Sequence, residues 1–499
     1  MTASAKAVRS PVDLSPLRTR MLIGGKWQEA ASSNTSSVYD PATGQEIARV
    51  PQATAADVDA AVQAARTALH HASWREMLPA TRERLLQKLA DLLEQHADEM
   101  ATLETLNQGM LLGVAQAVDV GTSVQWLRYM AGWATKIHGD SLDLSFPFPP
   151  GTKYQAIVKR QPVGVVGAIV PWNFPLLMAI WKIAPALACG CTVVLKPASD
   201  TPLTALHFAE LALEAGFPPG VLNVISGSGS TAGAALVQHP DVNKITLTGS
   251  TEVGIWIGQQ CASTVKRVAL ELGGKSPVVV LDDCDPAVAA AGASAAIFFN
   301  QGQVCTAGSR LYVQKKQFDR VVEGVAEAAR SAVIGSGFDP ATQIGPLVSQ
   351  RQQGNVLRLI ETGQKEGAEL VAGGTAADRE GYFVKPTVFA NTTGHQLTLS
   401  REEVFGPVLI AEPYDDLDEV VREANNTVYG LAASVWTSDI SKALRLAERL
   451  DAGTVWINTH NIFDPNLPFG GFKQSGIGRE HGRAAIDSYT ESKSICTAY

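Results

Sequence analysis

Between Val163 and Ala262 short apolar runs alternate with longer stretches of helical spacing, and no other feature of the chain limits its fold as strongly. Gly164–Val170, Thr192–Lys196, Leu222–Ile225 and Lys244–Thr248 read as strands, and Leu176–Cys189, Leu203–Ala215, Ser230–Gln238 and Thr251–Ala262 as the helices between them. Near-continuous apolar strands separated by helices predict a parallel sheet covered on both faces. The expected architecture is therefore α/β, with a doubly wound parallel-sheet cofactor domain. A second alternating set, Val278–Leu281, Arg310–Val313, a helix over Lys316–Val333 and a strand over Val404–Glu412, predicts a separate α/β catalytic domain. Asp57–Leu69, Thr81–Leu106 and Leu111–Thr135 carry apolar residues at helical spacing and belong outside the sheet. The segment 140–151 holds too many prolines for a helix, and Tyr154–Arg160 after it alternates as a strand does. The glycine-rich stretches Gly335–Gly345 and Ala372–Pro386 read as surface connections.

With 499 residues, 45% of them hydrophobic, the chain has material for two or three cores. A net charge of −8 gives no general attraction to nucleic acid or to an anionic membrane, which leaves a small molecule as the expected partner. No apolar run approaches the ~20 residues of a membrane-spanning helix, and no signal-peptide core is visible. Six cysteines scattered over the chain make no disulfide framework and fit a reducing, cytoplasmic setting. Cys189 and Cys191 read as buried strand-edge thiols, and no metal is expected. Residues 1–20, with Pro11 and Pro16 breaking any amphipathic helix, read as a disordered tail.

The chemistry concentrates on two stretches. An apolar helical run ends at Phe299, and a small polar turn, Asn300-Gln301-Gly302-Gln303-Val304-Cys305-Thr306-Ala307-Gly308, displays Cys305 before a strand resumes at Arg310. Free cysteine is more often a buried small hydrophobe than a nucleophile. Thirty-four positions upstream, however, Glu271 closes an apolar strand and is followed by Leu272-Gly273-Gly274-Lys275. A carboxylate there is either an ion-pair partner or a general base, and glycines admitting a close backbone or ligand favour the base. Two glycine-rich turns follow strands. Gly227-Ser228-Gly229-Ser230-Thr231-Ala232-Gly233 misses the dinucleotide fingerprint by one position, while Gly249-Ser250-Thr251-Glu252-Val253-Gly254 opens a helix whose unpaired N–H groups suit a pyrophosphate. Lys196 closes another apolar strand, where a cation either finds an anionic or hydroxylated partner or snorkels to solvent.

The segments around Glu271 and Cys305 closely resemble the two signature segments of the aldehyde dehydrogenase superfamily, and the likeness runs from about Tyr39 to Gly476. The resemblance implies NAD as cofactor, possibly also NADP, and oxidation of an aldehyde to its acid through a thiohemiacetal and a thioester on Cys305. It implies that Asn173 and the Cys305 backbone N–H hold the oxyanion, that Glu271 activates the hydrolytic water, and that Lys182 and Glu480 relay protons. By the same match Trp172, Lys196, Ser199, Gly229, Gly249, Ser250, Gly254, Leu272, Glu403 and Phe405 surround the cofactor, and Phe174, Trp181 and Phe469 line the substrate tunnel. The loop His460–Phe469 is most similar to members acting on phenylacetaldehyde, which implies an aromatic or arylacetaldehyde substrate; aliphatic or betaine-type aldehydes are the alternative. Where many NAD-preferring members carry a glutamate, this chain has Ser199, a weaker barrier to a 2′-phosphate. The resemblance further implies a homo-oligomer, tetramer or dimer, joined through an arm formed by 140–160 and 484–499, with 21–139 and 161–274 as the cofactor domain and 275–474 as the catalytic domain. A thioester hydrolase or a non-catalytic structural protein on the same scaffold stays open at this point.

Overall fold

The structure, a computed structural model, describes residues 17–146 and 148–499. Of the expected tail, residues 1–16 lie outside the described residues, whereas Arg18 is already fixed by Glu210 through its guanidinium. Two large sheets and a small one organise the chain. The eight-stranded sheet runs in space Gly476–Ile477, Arg267–Glu271, Lys244–Thr248, Val165–Ile169, Thr192–Lys196, Leu222–Val224, Met21–Ile23, Lys26–Gln28. Its five central strands are parallel, and its edges are antiparallel additions. Of the parallel strands, Val165–Ile169 comes first in sequence. The chain adds two strands on one side of it and then returns to add Lys244–Thr248 and Arg267–Glu271 on the other. That reversal splays the connections apart at the C-terminal ends of Val165–Ile169 and Lys244–Thr248, the place where doubly wound sheets form a ligand crevice.

Register fixes what lies along this edge. Lys196 pairs with Ile169, and Thr248 pairs with Glu271, so Lys196, Val170, Thr248 and Glu271 end their strands side by side. After Glu271 the chain crosses through Leu272-Gly273-Gly274-Lys275-Ser276 straight into Pro277–Val280, an interior strand of the seven-stranded sheet. That second sheet is parallel apart from its Glu369–Ala372 edge. Asp140–Leu142, Tyr154–Pro162 and Thr490–Ala498 form a three-stranded antiparallel sheet. On its connecting loop Phe146 and Phe148 are 94% and 81% exposed.

Several elements differ from the sequence reading, each for a local reason. The single helix expected over Thr81–Leu106 is two, Pro79–Gln95 and Ala97–Gln108, parted at His96, whose backbone leaves helical geometry and whose Nδ1 meets Glu99 at 3.0 Å. The strand expected from Val404 starts at Val408, because Phe405 stands at φ +55° and Gly406-Pro407 follow it. Cys189 ends the helix Pro175–Cys189 instead of edging a strand, whereas Cys191, past the left-handed Gly190, directly precedes the strand Thr192–Lys196; both are buried. Ser230–Gln238 begins as a π-helical turn, Gly229–Gly233, and becomes α-helical from Ala234. A Met21–Gln28 hairpin extends the eight-stranded sheet, and a second hairpin spans Thr35–Pro51.

Candidate active site

Where the two large sheets meet, a cavity of about 640 Å³ opens, and both Cys305 and Glu271 line it. The loop carrying the cysteine is held in an unusual shape. Asn300, Gln301 and Gly302 stand in succession at φ +46°, +57° and +68°. A Cβ on Gly302 would lie 2.1 Å from the Gly406 carbonyl oxygen. Side-chain bonds pin the remainder: Thr306 Oγ1 donates to Asn461 Oδ1 at 2.7 Å, and His460 Nε2 lies 2.8 Å from the Thr306 carbonyl. Gly274 admits this loop, since a Cβ there would sit 2.3 Å from the Cys305 carbonyl oxygen; Gly273 likewise admits the Glu403 carboxylate. The two glycines after Glu271 thus serve close approach by a backbone and by a side chain.

The electrostatics of the pair are those of a dry site. Burial, then the Glu403 and Glu271 carboxylates, push the Cys305 thiol up to about 12, opposed by the Cys305 and Thr306 backbone N–H groups facing the sulfur. Glu271 is raised well above the ordinary carboxylate range, first by burial and then by Glu480, with Lys182 and Arg479 opposing. Neither Glu271 oxygen has a hydrogen-bond partner among the described residues. A buried carboxyl without partners keeps its full accepting capacity for whatever enters the cavity. Lys182, fully buried, donates to Thr248 Oγ1 at 2.6 Å and to Glu480. Glu480 is 3% exposed and paired by both backbone groups with Phe469.

Asn173 follows the Val165–Ile169 strand on the cavity wall. Its Nδ2 donates to the Gln303 carbonyl at 2.9 Å, and its own carbonyl accepts from Asn300 Nδ2 at 2.9 Å. One amide hydrogen therefore orients the group and the second is left for the cavity. Behind it the helix Pro175–Cys189 has its first N–H groups taken by a buried carboxyl pair, Glu104 to Leu176 and Asp119 to Leu176 and Leu177.

The residues expected around the cofactor fall along the C-terminal edge of the eight-stranded sheet. Lys196, lowered to about 8 by burial, donates to the Pro197 and Gly227 carbonyls at 2.8 and 3.1 Å, which leaves one ammonium hydrogen unassigned. Ser199 Oγ donates to the Gly227 carbonyl at 3.1 Å. Gly229 faces open space. Gly249 begins the turn into Thr251–Ala262, and Ser250 Oγ caps that helix by accepting from Val253 N. Gly254 also has a packing part. Its missing Cβ makes room for Leu272, whose Cδ2 would be 2.3 Å away, so it sets helix-to-loop packing. Trp172 stands edge-on to Phe405 at 5.1 Å, and Glu403 accepts from Gly274 N at 2.8 Å with its pKa raised to about 7, chiefly by burial. These donors and open backbone fit a dinucleotide.

Phe174, Trp181 and Phe469 come together on the opposite wall. Trp181 meets Phe469 at 5.6 Å, and Phe174 stacks on Phe299 at 6.0 Å. Sequence reasoning left out Trp126, Met178 and Phe463 from this wall. Val118, Thr122 and Trp126, spaced by four, were the available signal for the first of these.

Comparison with known proteins agrees with this geometry. A family model described as the aldehyde dehydrogenase family matches residues 27–495. The phenylacetaldehyde dehydrogenase of Pseudomonas fluorescens is 59% identical over 481 residues, covering 96% of each chain. The NAD+ complex of an aldehyde dehydrogenase from Bacillus cereus superposes with a TM-score of 0.93 at 48% identity, over 96% of each chain. Betaine aldehyde dehydrogenase from Staphylococcus aureus in complex with NAD+ gives a TM-score of 0.94 at 38% identity, over 97% of this chain and 96% of that one.

Proposed function

The chain belongs to the aldehyde dehydrogenase family, and from that premise we propose that it oxidises an arylacetaldehyde of the phenylacetaldehyde type to the acid, with NAD as cofactor. The observation carrying this reading is the single cavity on which Cys305, Glu271 and a wall of aromatic side chains all open. An aromatic wall desolvates a flat apolar aldehyde at little polar cost. The 59% identity to a phenylacetaldehyde dehydrogenase supports the same substrate class. The six free cysteines, three of them wholly or nearly wholly enclosed, fit a reducing, cytoplasmic setting.

The residues act in order. Cys305 Sγ attacks the carbonyl carbon, and because its thiol is held up near 12 the proton has to pass to a base during attack. Glu271, with both oxygens unpartnered in the same cavity, takes it. The free amide hydrogen of Asn173 and the Cys305 N–H hold the oxyanion, an arrangement in which losing one donor costs ~10²- to 10³-fold in rate. When bound, the nicotinamide of NAD supplies the hydride acceptor. Lys196 and Ser199 would hold the adenosine ribose, Glu403 the nicotinamide ribose, and the helix that Ser250 caps would face the pyrophosphate. Glu271 hands this first proton on through Lys182, Thr248 and Glu480, then takes a second from the water that cleaves the Cys305 thioester, which leaves by the same groups.

Steady-state kcat/KM with NAD over phenylacetaldehyde, benzaldehyde, short aliphatic aldehydes and betaine aldehyde tests the assignment. Phenylacetaldehyde should lead the aliphatic and betaine substrates by about tenfold or more, the scale at which a few buried methylene-sized contacts discriminate. A lead for betaine aldehyde or acetaldehyde would refute it. Ser199 carries no charge to repel a 2′-phosphate, so NADP should support measurable turnover at saturating aldehyde; none at all would contradict that role for Ser199.

A further inference from the structure

Outside the catalytic cavity, His96, Glu99 and His207 converge at one place. His96 occupies the break between the helices Pro79–Gln95 and Ala97–Gln108, Glu99 lies in the first turn of the second, and His207 projects from Leu203–Ala215. Among the described residues they form the one group of three such side chains whose ligating atoms all lie within 4.8 Å of one another. His96 Nδ1 stands 3.0 Å from one Glu99 oxygen, and His207 Nε2 stands 3.5 Å from the other. A tetrahedral zinc-type ion with bonds near 2.0–2.2 Å separates its ligands by about 3.3–3.5 Å, so the three ligating atoms, which lie within 4.8 Å of one another, would draw together by no more than about 1.5 Å to meet it.

We propose that His96, Glu99 and His207 form a binding site for a divalent transition-metal ion of the zinc class, separate from the catalytic cavity. Two imidazoles and one carboxylate are the donor set such ions prefer over magnesium or calcium. The side chains are 39%, 39% and 13% exposed, so an ion can enter and keep water as its fourth ligand. The Arg18 cation is nearby, and it is already paired with Glu210, three positions beyond His207. Binding would clamp the helix break at His96 to Leu203–Ala215.

Cobalt(II) serves as the probe, because its visible d–d bands report nitrogen and oxygen ligation in tetrahedral geometry, while sulfur ligands add ultraviolet charge-transfer bands. Titrated into the chelator-treated full chain, cobalt should bind one equivalent tightly with d–d bands and no sulfur band, and should raise Tm. His96→Gln and Glu99→Gln, which leave the cavity untouched, should weaken that binding by tenfold or more while aldehyde turnover stays at the wild-type rate. Magnesium chloride should give no Tm rise. Equal cobalt affinity in the wild type and both variants would overturn the proposal, as would a signal dominated by sulfur bands that vanish in Cys305→Ala.

Discussion

The proposed nucleophile, Cys305, rests as a thiol. Burial and two carboxylates hold the Cys305 thiol near 12, the reverse of the low pKa expected of a cysteine kept permanently as thiolate. Its thiolate fraction therefore increases with pH across the whole working range and does not level off near ~8.5 as a free thiol's does. Iodoacetamide labelling, followed by peptide mass, should show the Cys305 rate still climbing through about pH 10, where a small free thiol has reached its plateau. A Cys305 plateau below pH 8 would mean that the thiolate is already formed in the resting protein. The cysteine and Glu271 were legible in the sequence because each stands beside glycines at the end of an apolar element. Their energetic state was not legible, because it depends on Glu403 and Glu480, which are distant in sequence and brought near only by the fold.

At the level of elements, the chemistry depends on two irregular loops, one bearing Cys305 and the other Glu403 and Phe405. They interlock at Gly302 and Gly406. Gly302→Ala adds a methyl group that meets the Gly406 backbone carbonyl at 2.1 Å, at a position with φ +68°, and neither backbone can yield cheaply. The variant should lose about 1–3 kcal/mol of stability by denaturant titration and turn over far more slowly, since Cys305 lies three residues on. Unchanged stability and rate would show that the interlock is not what positions the sulfur. The buried parallel strands were readable from their apolar runs because burial on both faces leaves little room for polar residues. The departures came where one side chain decides the backbone, as at His96, Phe405 and the Asn300–Gly302 turn, and such decisions leave no periodicity to read. The aromatic wall was half legible for a related reason: Trp126 and Met178 have the same spacing as core residues, and only the cavity tells them apart.

For the whole molecule, the order of strands does most to explain where catalysis occurs. The reversal beside Val165–Ile169 makes the crevice, and the short crossing from Glu271 to Pro277 brings the second sheet, with its cysteine loop, over it. The small sheet of 140–162 and 490–498 stands apart from this core and exposes Phe146, Phe148 and Ile495. We propose that these exposed apolar groups are buried against further copies of the chain. Phe148→Ser should therefore shift sedimentation towards smaller species without lowering the stability of the single chain, and an unchanged distribution would remove the arm from assembly. The central claim, that Cys305 carries the acyl group and Glu271 clears it, is tested most directly by the intact mass of Glu271→Gln after acid quenching with phenylacetaldehyde and NAD. The account predicts a burst of one NADH per active chain and one phenylacetyl adduct, mapped to Cys305. A burst with no adduct, an adduct on another residue, or wild-type steady-state turnover would contradict it.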